Sequence, residues 1–513
     1  MSRPGTIGWF ARHEARLAWR DWLSLMTGGH RRRARTVILG FALFWIFAHG
    51  LAWLMLRAVG NFVGPVDKHL LVVITGTLLP CGSLMLSQAL ESVTRGFYAR
   101  GDLELILTSP ASVSRLFAVR IAGMALTIVF MMLVLGAPFI NMLAWLGGAR
   151  WLGAYPVVVA MAMDAVAIAV VVTIALFHAI GPRRTRVVSQ ILAAVIGAAF
   201  VIGVQFAAIL SYGATPEMGI LQMAEIVRRA PDVGSAVWLP ARAVLGDLPA
   251  LAGVLGLSAV ALAGTIYVFA PRFGHLAQGT ASVPHGAARH ERRQSRFRGS
   301  TPARALRRKE WTLLLRDPWL ISQTLMQSLC LLPAALLLWR DFYRGGTASA
   351  LLVPILIVAA GQLAGGLAWL AVSGEDAPDL IASAPVSAVS VLRAKAEAVL
   401  SGIAVTFGPF VVILAVAAPF GALVAVAGIV VASGSAMAIQ YWFRKQVKRS
   451  TFRRRQTSSR VATFAEALSS IGWAGTGALA ATGTWLAIVP CVIVMTIVAG
   501  TWMISPARGS LLL

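Results

Sequence analysis

Apolar stretches of about 20 residues recur along the whole chain, each long enough to cross a hydrocarbon layer about 30 Å thick. Inside such a layer the backbone must satisfy its own N–H and C=O groups, so runs of this length fold as helices. Twelve can be read, centred near residues 48, 79, 130, 166, 200, 260, 330, 361, 406, 431, 472 and 494. With 58% of 513 residues hydrophobic and 13% charged, a soluble globule is excluded. The N-terminal "MSRPGTIGWFARHEARLAWRDW" has no compact apolar core before a small-residue cleavage site. It does not read as a cleaved leader, and the first run is expected to stay in the membrane.

The net charge of +25 has the size of a nucleic-acid signal until the charges are placed. With a cytoplasmic N-terminus, all but eight of the 45 Lys and Arg fall on the cytoplasmic side; the exceptions are Arg57, Lys68, Arg150, Arg228, Arg229, Arg242, Arg340 and Arg344. That asymmetry sets orientation. It puts both termini in the cytoplasm and favours contact with anionic lipid rather than nucleic acid. Lysine is scarce beside arginine, 5 against 40, which points to a GC-rich bacterial genome, and the expected setting is a bacterial inner membrane. The three cysteines, Cys81, Cys330 and Cys491, sit in apolar runs without a CxxC, so neither a disulfide framework nor a zinc site is expected.

Four segments recur in the same order in both halves. "EARLAWRD" (Glu14 to Asp21) matches "EWTLLLRD" (Glu310 to Asp317), and "ELILTSPAS" (Glu104 to Ser112) matches "DLIASAPVS" (Asp379 to Ser387). "TRVVSQILAAVIG" matches "SRVATFAEALSSIG", and "AGTIYVFAPR" matches "AGTWMISPAR". The offset is 296, then near 275 twice, then 236, and an outer loop at 212–247 in the first half accounts for the last drop. The expected fold is therefore an all-α polytopic membrane protein. It has about 12 transmembrane helices as two parallel six-helix repeats, each preceded by a cytoplasmic interfacial helix. Residues 1–271 form the first half, 272–303 a basic cytoplasmic linker rich in Gly, Ser, Pro and Arg, and 304–513 the second half.

The helix ahead of the first half carries Ala11, Ala15, Ala18, Trp22 and Met26 on one stripe, and Arg12, Arg16 and Arg20 on another. A basic face beside an apolar, Trp-bearing one suits a helix lying in the inner headgroup layer. In the repeated phrase, "LTSP" and "ASAP" stop one helix, because proline lacks an N–H and restricts the residue before it. Ser112 or Ser387 then caps a short new helix running into span 3 or span 9. Asp102, Glu104, Ser109, Pro110 and Ser112, and in the second copy Asp376, Asp379, Ser383, Pro385 and Ser387, would form a rigid exposed element tied at both ends to spanning helices. Such an element works as a lever.

"RRKEWTLLLRDPWLISQTLMQ" resembles the opening of ABC-2-type transporter permeases, and both copies of the phrase resemble that family's cytoplasmic loop after span 2. "WLPARAVLGD" (Trp238 to Asp247) is similar to the outer segment before the family's last span. The resemblance implies the permease of an ATP-driven exporter or flippase for a lipophilic or amphipathic substrate. ATP and Mg would be bound by a separate ABC-type subunit, two copies per chain. The repeated phrases would be the partner-coupling elements, and Glu14, Arg20, Asp21, Glu310, Arg316 and Asp317 would mark the interfacial helices beside them.

No Gly-Lys dipeptide occurs, so no Walker-type phosphate loop is present; HExxH and GxSxG are absent as well. The chain therefore offers no catalytic constellation and no cofactor or metal site of its own. Among ionisable residues within spans, Asp164 lies near the centre of span 4, and His49, Glu397 and Glu466 lie nearer the middle or ends of spans 1, 9 and 11. An acid costs at least about 2.5 kcal/mol at a helix centre, so Asp164 should face the bundle, as a substrate or proton site or as an interhelical hydrogen bond. The alternative function is a proton- or sodium-coupled secondary carrier, which also favours two parallel halves. The segment "TPEMGILQMAEIVRRAP" reads as a short amphipathic helix on the outer face.

Overall fold

The computed structural model describes residues 8–9, 12–13, 16, 34–59, 64–98, 113–212, 226–272, 301–315, 349–373, 383–443, 460–503 and 505. These residues contain helices and turns and no strand. The chain divides into two compact units, Met1–Ala287 and Ala288–Leu513, with the division falling inside the basic linker. Eight helices among the described residues are long and apolar enough to cross a membrane, so the chain is a multi-pass membrane protein. Leucines, valines and tryptophans such as Leu126, Trp145, Leu257 and Val405 point outward, as lipid contact requires.

In the first unit the helices are α1 (Ala34–Val59), α2 (Lys68–Tyr98), α3 (Val113–Gly147), α4 (Ala154–Tyr212), the short α5 (Leu239–Val244) and α6 (Leu248–Phe269). Asp247 caps α6, its Oδ1 accepting from the Ala250 N–H at 3.3 Å, and Pro249 sits in the first turn where its missing N–H costs nothing. The runs expected as spans 4 and 5 fall on the two arms of α4, joined without a loop; of the two, the first arm is among the eight helices long and apolar enough to span. The only break is Gly181, at φ 75° and ψ 166°, a left-handed region open to glycine. Met161 and Gly203 stand about 20 positions either side of Gly181, yet both meet α2: Met161 at Gly82 and Gly203 at Pro80. Only a reversal at Gly181 allows this. The first arm therefore runs parallel to α2 and the second antiparallel to it, the latter also fixed by Ser87 Oγ donating to Ala193 O at 2.7 Å. Beyond these, α3 packs on α1, α2 and α4, and α6 packs on α4.

In the second unit α7 (Pro302–Leu315) precedes α8 (Ser349–Ser373), α9 (Ala388–Ala417), α10 (Pro419–Trp442), α11 (Arg460–Ala481) and α12 (Ile488–Met503). Here α8 lies between α10 and α11, α9 packs on α8 and α10, and α12 packs on α11. Ile357 meets Gly428 of α10, and Gly361 and Gly365 meet Ser470 and Glu466 of α11, so α8 is parallel to one neighbour and antiparallel to the other. With no water to expel, helices in lipid associate by close contact, and these small residues are where the backbones approach.

The end of the first unit opposite Gly181 is closed by a docked segment. Trp151, Trp238, Ala241, Val244 and Leu245 bury themselves against Leu71, Ile74 and Val157. Arg242 donates from Nε to Asp247 Oδ2 at 2.8 Å, and Lys68 pairs with Asp232 at 2.9 Å. Of the amphipathic outer helix expected over 215–231, residues 226–229 are helical and the stretch before them lies outside the described residues. In the second unit α11 and α12 join through Gly483, at φ 72°, and a single turn at Trp485–Ala487.

Candidate functional site

The end of each unit that holds Gly181 or α7 is the one where the sequence concentrates arginine. In the second unit this side carries a network of charges built from α7, α8 and α9. The apolar stripe of α7 ends in Leu314, which is buried, and the same face turns Glu310 inward until none of its side chain is exposed. A carboxylate so placed needs a cation. Lys395, in the second turn of α9 and itself buried, supplies it, with Nζ 2.9 Å from Glu310 Oε1. The same ammonium donates to Ala371 O at 2.6 Å, near the end of α8, where helix carbonyls lack an intrahelical donor. Lys309 Nζ approaches Glu310 Oε1 at 3.3 Å, and Glu310 Oε2 makes no hydrogen bond.

A second tier lies nearer the surface. Arg307 of α7 grips Glu397 of α9 with two donors, Nε to Oε2 at 2.5 Å and Nη2 to Oε1 at 3.2 Å. Arg393 adds a bond from one turn earlier at 3.1 Å. The forked guanidinium fixes direction as well as distance, so α7 is held against α9 in one register. α7, the end of α8 and the start of α9 are thereby joined through Lys395.

Immediately before α9 comes the second copy of the repeated phrase. Ser383 and Pro385 lie in an exposed turn, and Ser387 caps the helix, its Oγ accepting from the Ser390 N–H at 3.2 Å. The expected short helix ahead of span 9 is not a separate element. The capped helix is α9 itself, continuous for 30 residues, so the turn is bonded directly to a spanning rod. Glu397, read from sequence as an acid within its span, is one-third exposed and engaged by arginines. Asp376 and Asp379 lie outside the described residues, as do Arg316 and Asp317. The same holds for the whole first copy, Asp102, Glu104, Ser109, Pro110 and Ser112, and for Glu14, Arg20 and Asp21.

Asp164 accepts a hydrogen bond from Ser258 Oγ at 2.8 Å, which ties the first arm of α4 to α6. Glu466 is the more deeply buried acid. Gln440 Nε2 donates to its Oε2 at 2.6 Å, and its carboxylate fills the notch at Gly365 so closely that a Cβ there would stand 2.1 Å from its carboxyl carbon. His49 joins a third group: Tyr155 Oη donates to Asn141 Oδ1 at 2.6 Å, Asn141 Nδ2 lies 3.1 Å from His49 Nε2, and His49 Nδ1 lies 2.7 Å from Trp45 O. No cluster among the described residues has the His, Cys, Asp and Glu content of a metal site.

Lys395 is the residue that the sequence reading missed. Its one signal was a lysine at the head of an apolar run, in a chain that otherwise uses arginine. Comparison with known proteins gives no match: no family model, no curated protein and no solved structure aligns with the chain.

Proposed function

We propose that the chain is the permease of an ATP-driven exporter or flippase for a lipophilic or amphipathic substrate in a bacterial inner membrane. In this reading twelve spans form two parallel six-span repeats. The energy comes from ABC-type ATP-binding subunits, two per chain, which hold ATP and Mg and grip the repeated phrases from the cytoplasm. The observation that carries the reading is the joint behind the 383–387 turn. Anything that displaces this turn moves α9, and through Lys395, Glu310, Arg307 and Glu397 it must carry α7 and the end of α8 with it.

The internal duplication draws support from packing. The contacts of Pro80 with Gly203 and of Ile357 with Gly477 correspond at an offset near 275, the offset of the repeated phrases. In both units the second span lies parallel to one neighbour and antiparallel to the next.

Purification from native membranes in mild detergent, with mass spectrometry of what accompanies the chain, tests the proposal. A stoichiometric P-loop ATPase at two copies is the expected result. A chain that emerges alone even after crosslinking overturns it and leaves the ion-coupled carrier. That carrier would need a titrating acid, and Asp164→Asn separates the two readings: abolished transport favours the carrier, whereas retained transport fits an acid occupied in holding Ser258.

A further inference from the structure

α7 carries two stripes at helical spacing. Arg307, Glu310 and Leu314 form the one that meets α8 and α9. One position along, Arg304, Arg308, Trp311 and Leu315 form a second, turned about 100° from the first. Arg304 and Arg308 are exposed, Leu315 is 61% exposed and Trp311 is half-buried. Among the described residues neither of these two guanidiniums takes part in an ion pair or a hydrogen bond, whereas Arg307 and Arg393 are engaged by Glu397. The two arginines are therefore not used in holding α7 to its neighbours.

Arginines on an exposed helix are ordinarily just solvated, and two observations set this pair apart. The first is its level. Lys395 ties Glu310 to Ala371 O, one residue short of the end of the spanning stretch of α8 at Val372. That is where hydrocarbon gives way to head groups, a layer about 5–8 Å deep on each side of a bilayer. The second is a change of chemistry along the stripe. Its first half is guanidinium and its second half indole and leucine, with Arg308 and Leu315 about 10 Å apart along the axis. Guanidinium forks match phosphate oxygens, and arginine stems lie along apolar surface while their heads reach polar ground. Tryptophan favours the same boundary. A soluble anion or an acidic protein surface would use the arginines and leave Leu315 in water. A molecule with a phosphate at one end and acyl chains at the other meets both halves.

We propose that Arg304, Arg308, Trp311 and Leu315 form a binding site for an anionic phospholipid on the flank of α7. The guanidiniums take the phosphate, and Trp311 and Leu315 lie against the chains. The neighbouring stripe of the same helix holds α9, so lipid bound here fastens the joint through Glu310 and Arg307. A ligand that binds the folded chain stabilises it by mass action. The inference rests on the multi-pass membrane character of the chain and not on the ATP-driven reading.

The test uses the full chain in mild detergent. Native mass spectrometry reads retention of phosphatidylglycerol against phosphatidylcholine, and thermal melting reads protection by each. Arg304→Gln with Arg308→Gln removes the charges without removing a bond, so the double variant should melt with the parent when no lipid is added. Its retention of phosphatidylglycerol should fall about fivefold for each arginine, equivalent to about 1 kcal/mol each, with phosphatidylcholine unchanged. Arg184→Gln controls for total charge, since Arg184 beside Gly181 is likewise exposed and unpaired among the described residues. In vesicles of phosphatidylglycerol with brominated chains, the fluorescence lost in Trp311→Phe should be the quenched part. An Arg184→Gln variant that loses as much lipid as Arg308→Gln overturns the proposal, because charge alone then decides. Protection by inorganic phosphate equal to that by phosphatidylglycerol overturns it in favour of a free-anion site. An unquenched Trp311, or a double variant that melts lower without lipid, overturns it as well.

Discussion

The ends of the two units remote from Gly181 and α7 are built differently, although in both the second span lies between a parallel and an antiparallel neighbour. In the first, α3 and α4 are separated by a turn at Ala149–Gly153, and the segment before α6 folds back over α2 with two ion pairs and two buried tryptophans. In the second, α9 and α10 are joined through Ala418 alone, and α11 turns into α12 in a few residues. The helices that must pack in lipid keep their order and register, while the elements outside the lipid differ. Among the described residues, then, the packed helices of the two units are alike in register while the connecting segments differ, and the first unit carries the docked cap.

The largest effect should come from a region with no counterpart on the outer side, the buried pair of α7 and α9. Lys395→Ala strands Glu310 without its cation and should cost about 3–5 kcal/mol, read as a fall in melting temperature in detergent. Lys395→Met with Glu310→Met should recover most of that loss, because the pair is then replaced by apolar packing. A double variant as unstable as the single would mean that the charges themselves hold the fold.

Next comes Gly153→Ala in the first unit's cap. The added Cβ would stand 2.3 Å from Ala243 O, and a backbone oxygen cannot swing aside. A loss of about 2–3 kcal/mol is expected, with protease sensitivity appearing in 226–247 and not in 479–490. Gly365→Ala makes the matching intrusion in the second unit, but against the Glu466 side chain, which can turn. It should cost about 1–2 kcal/mol and be relieved by Glu466→Ala, while Gly434→Ala, with open space around it, should be silent. Equal losses for Gly153→Ala and Gly365→Ala would remove the distinction between a rigid cap and a yielding core.

The smallest effect is one of pH. Hydrogen bonding from Arg242, aided by the Ala250 N–H, holds the Asp247 carboxyl below the usual carboxylate range, and Lys68 does the same to Asp232. A carboxylate whose folded pKa is depressed adds stability that is present above its unfolded pKa, about 3.9, and is lost as pH falls through the folded value. Hydrogen exchange over 226–250 should therefore quicken below about pH 4. Exchange over 479–490, a stretch without a carboxylate, should not change in this way. Parallel behaviour of the two segments would count against the ion pairs as the cap's fastening.

Much of the helical layout was legible because length against bilayer thickness is a strong signal. The runs near 79, 130, 260, 361, 406, 431 and 494 each fall within a helix long and apolar enough to span. The cap at Ser387 was legible too, since Ser after proline and before an apolar run has few other uses. The reversal between spans 4 and 5 was legible at "GPRR" as well; that the single residue Gly181 makes it without a loop was not. Lys395 and Gln440 escaped for another reason. In lipid a helix is apolar nearly all round, so periodicity does not reveal which face meets a neighbour. The partner of Lys395 stands 85 positions away, at Glu310, and only the packed structure joins them.

The loopless reversal at Gly181 bears on how the protein is made. The arms of α4 are separated by a single non-helical residue, so no length of chain is left to wait in the aqueous phase while one arm inserts. The two arms are therefore expected to leave the translocon as one body. Residues 154–212 are in that sense a single unit of synthesis.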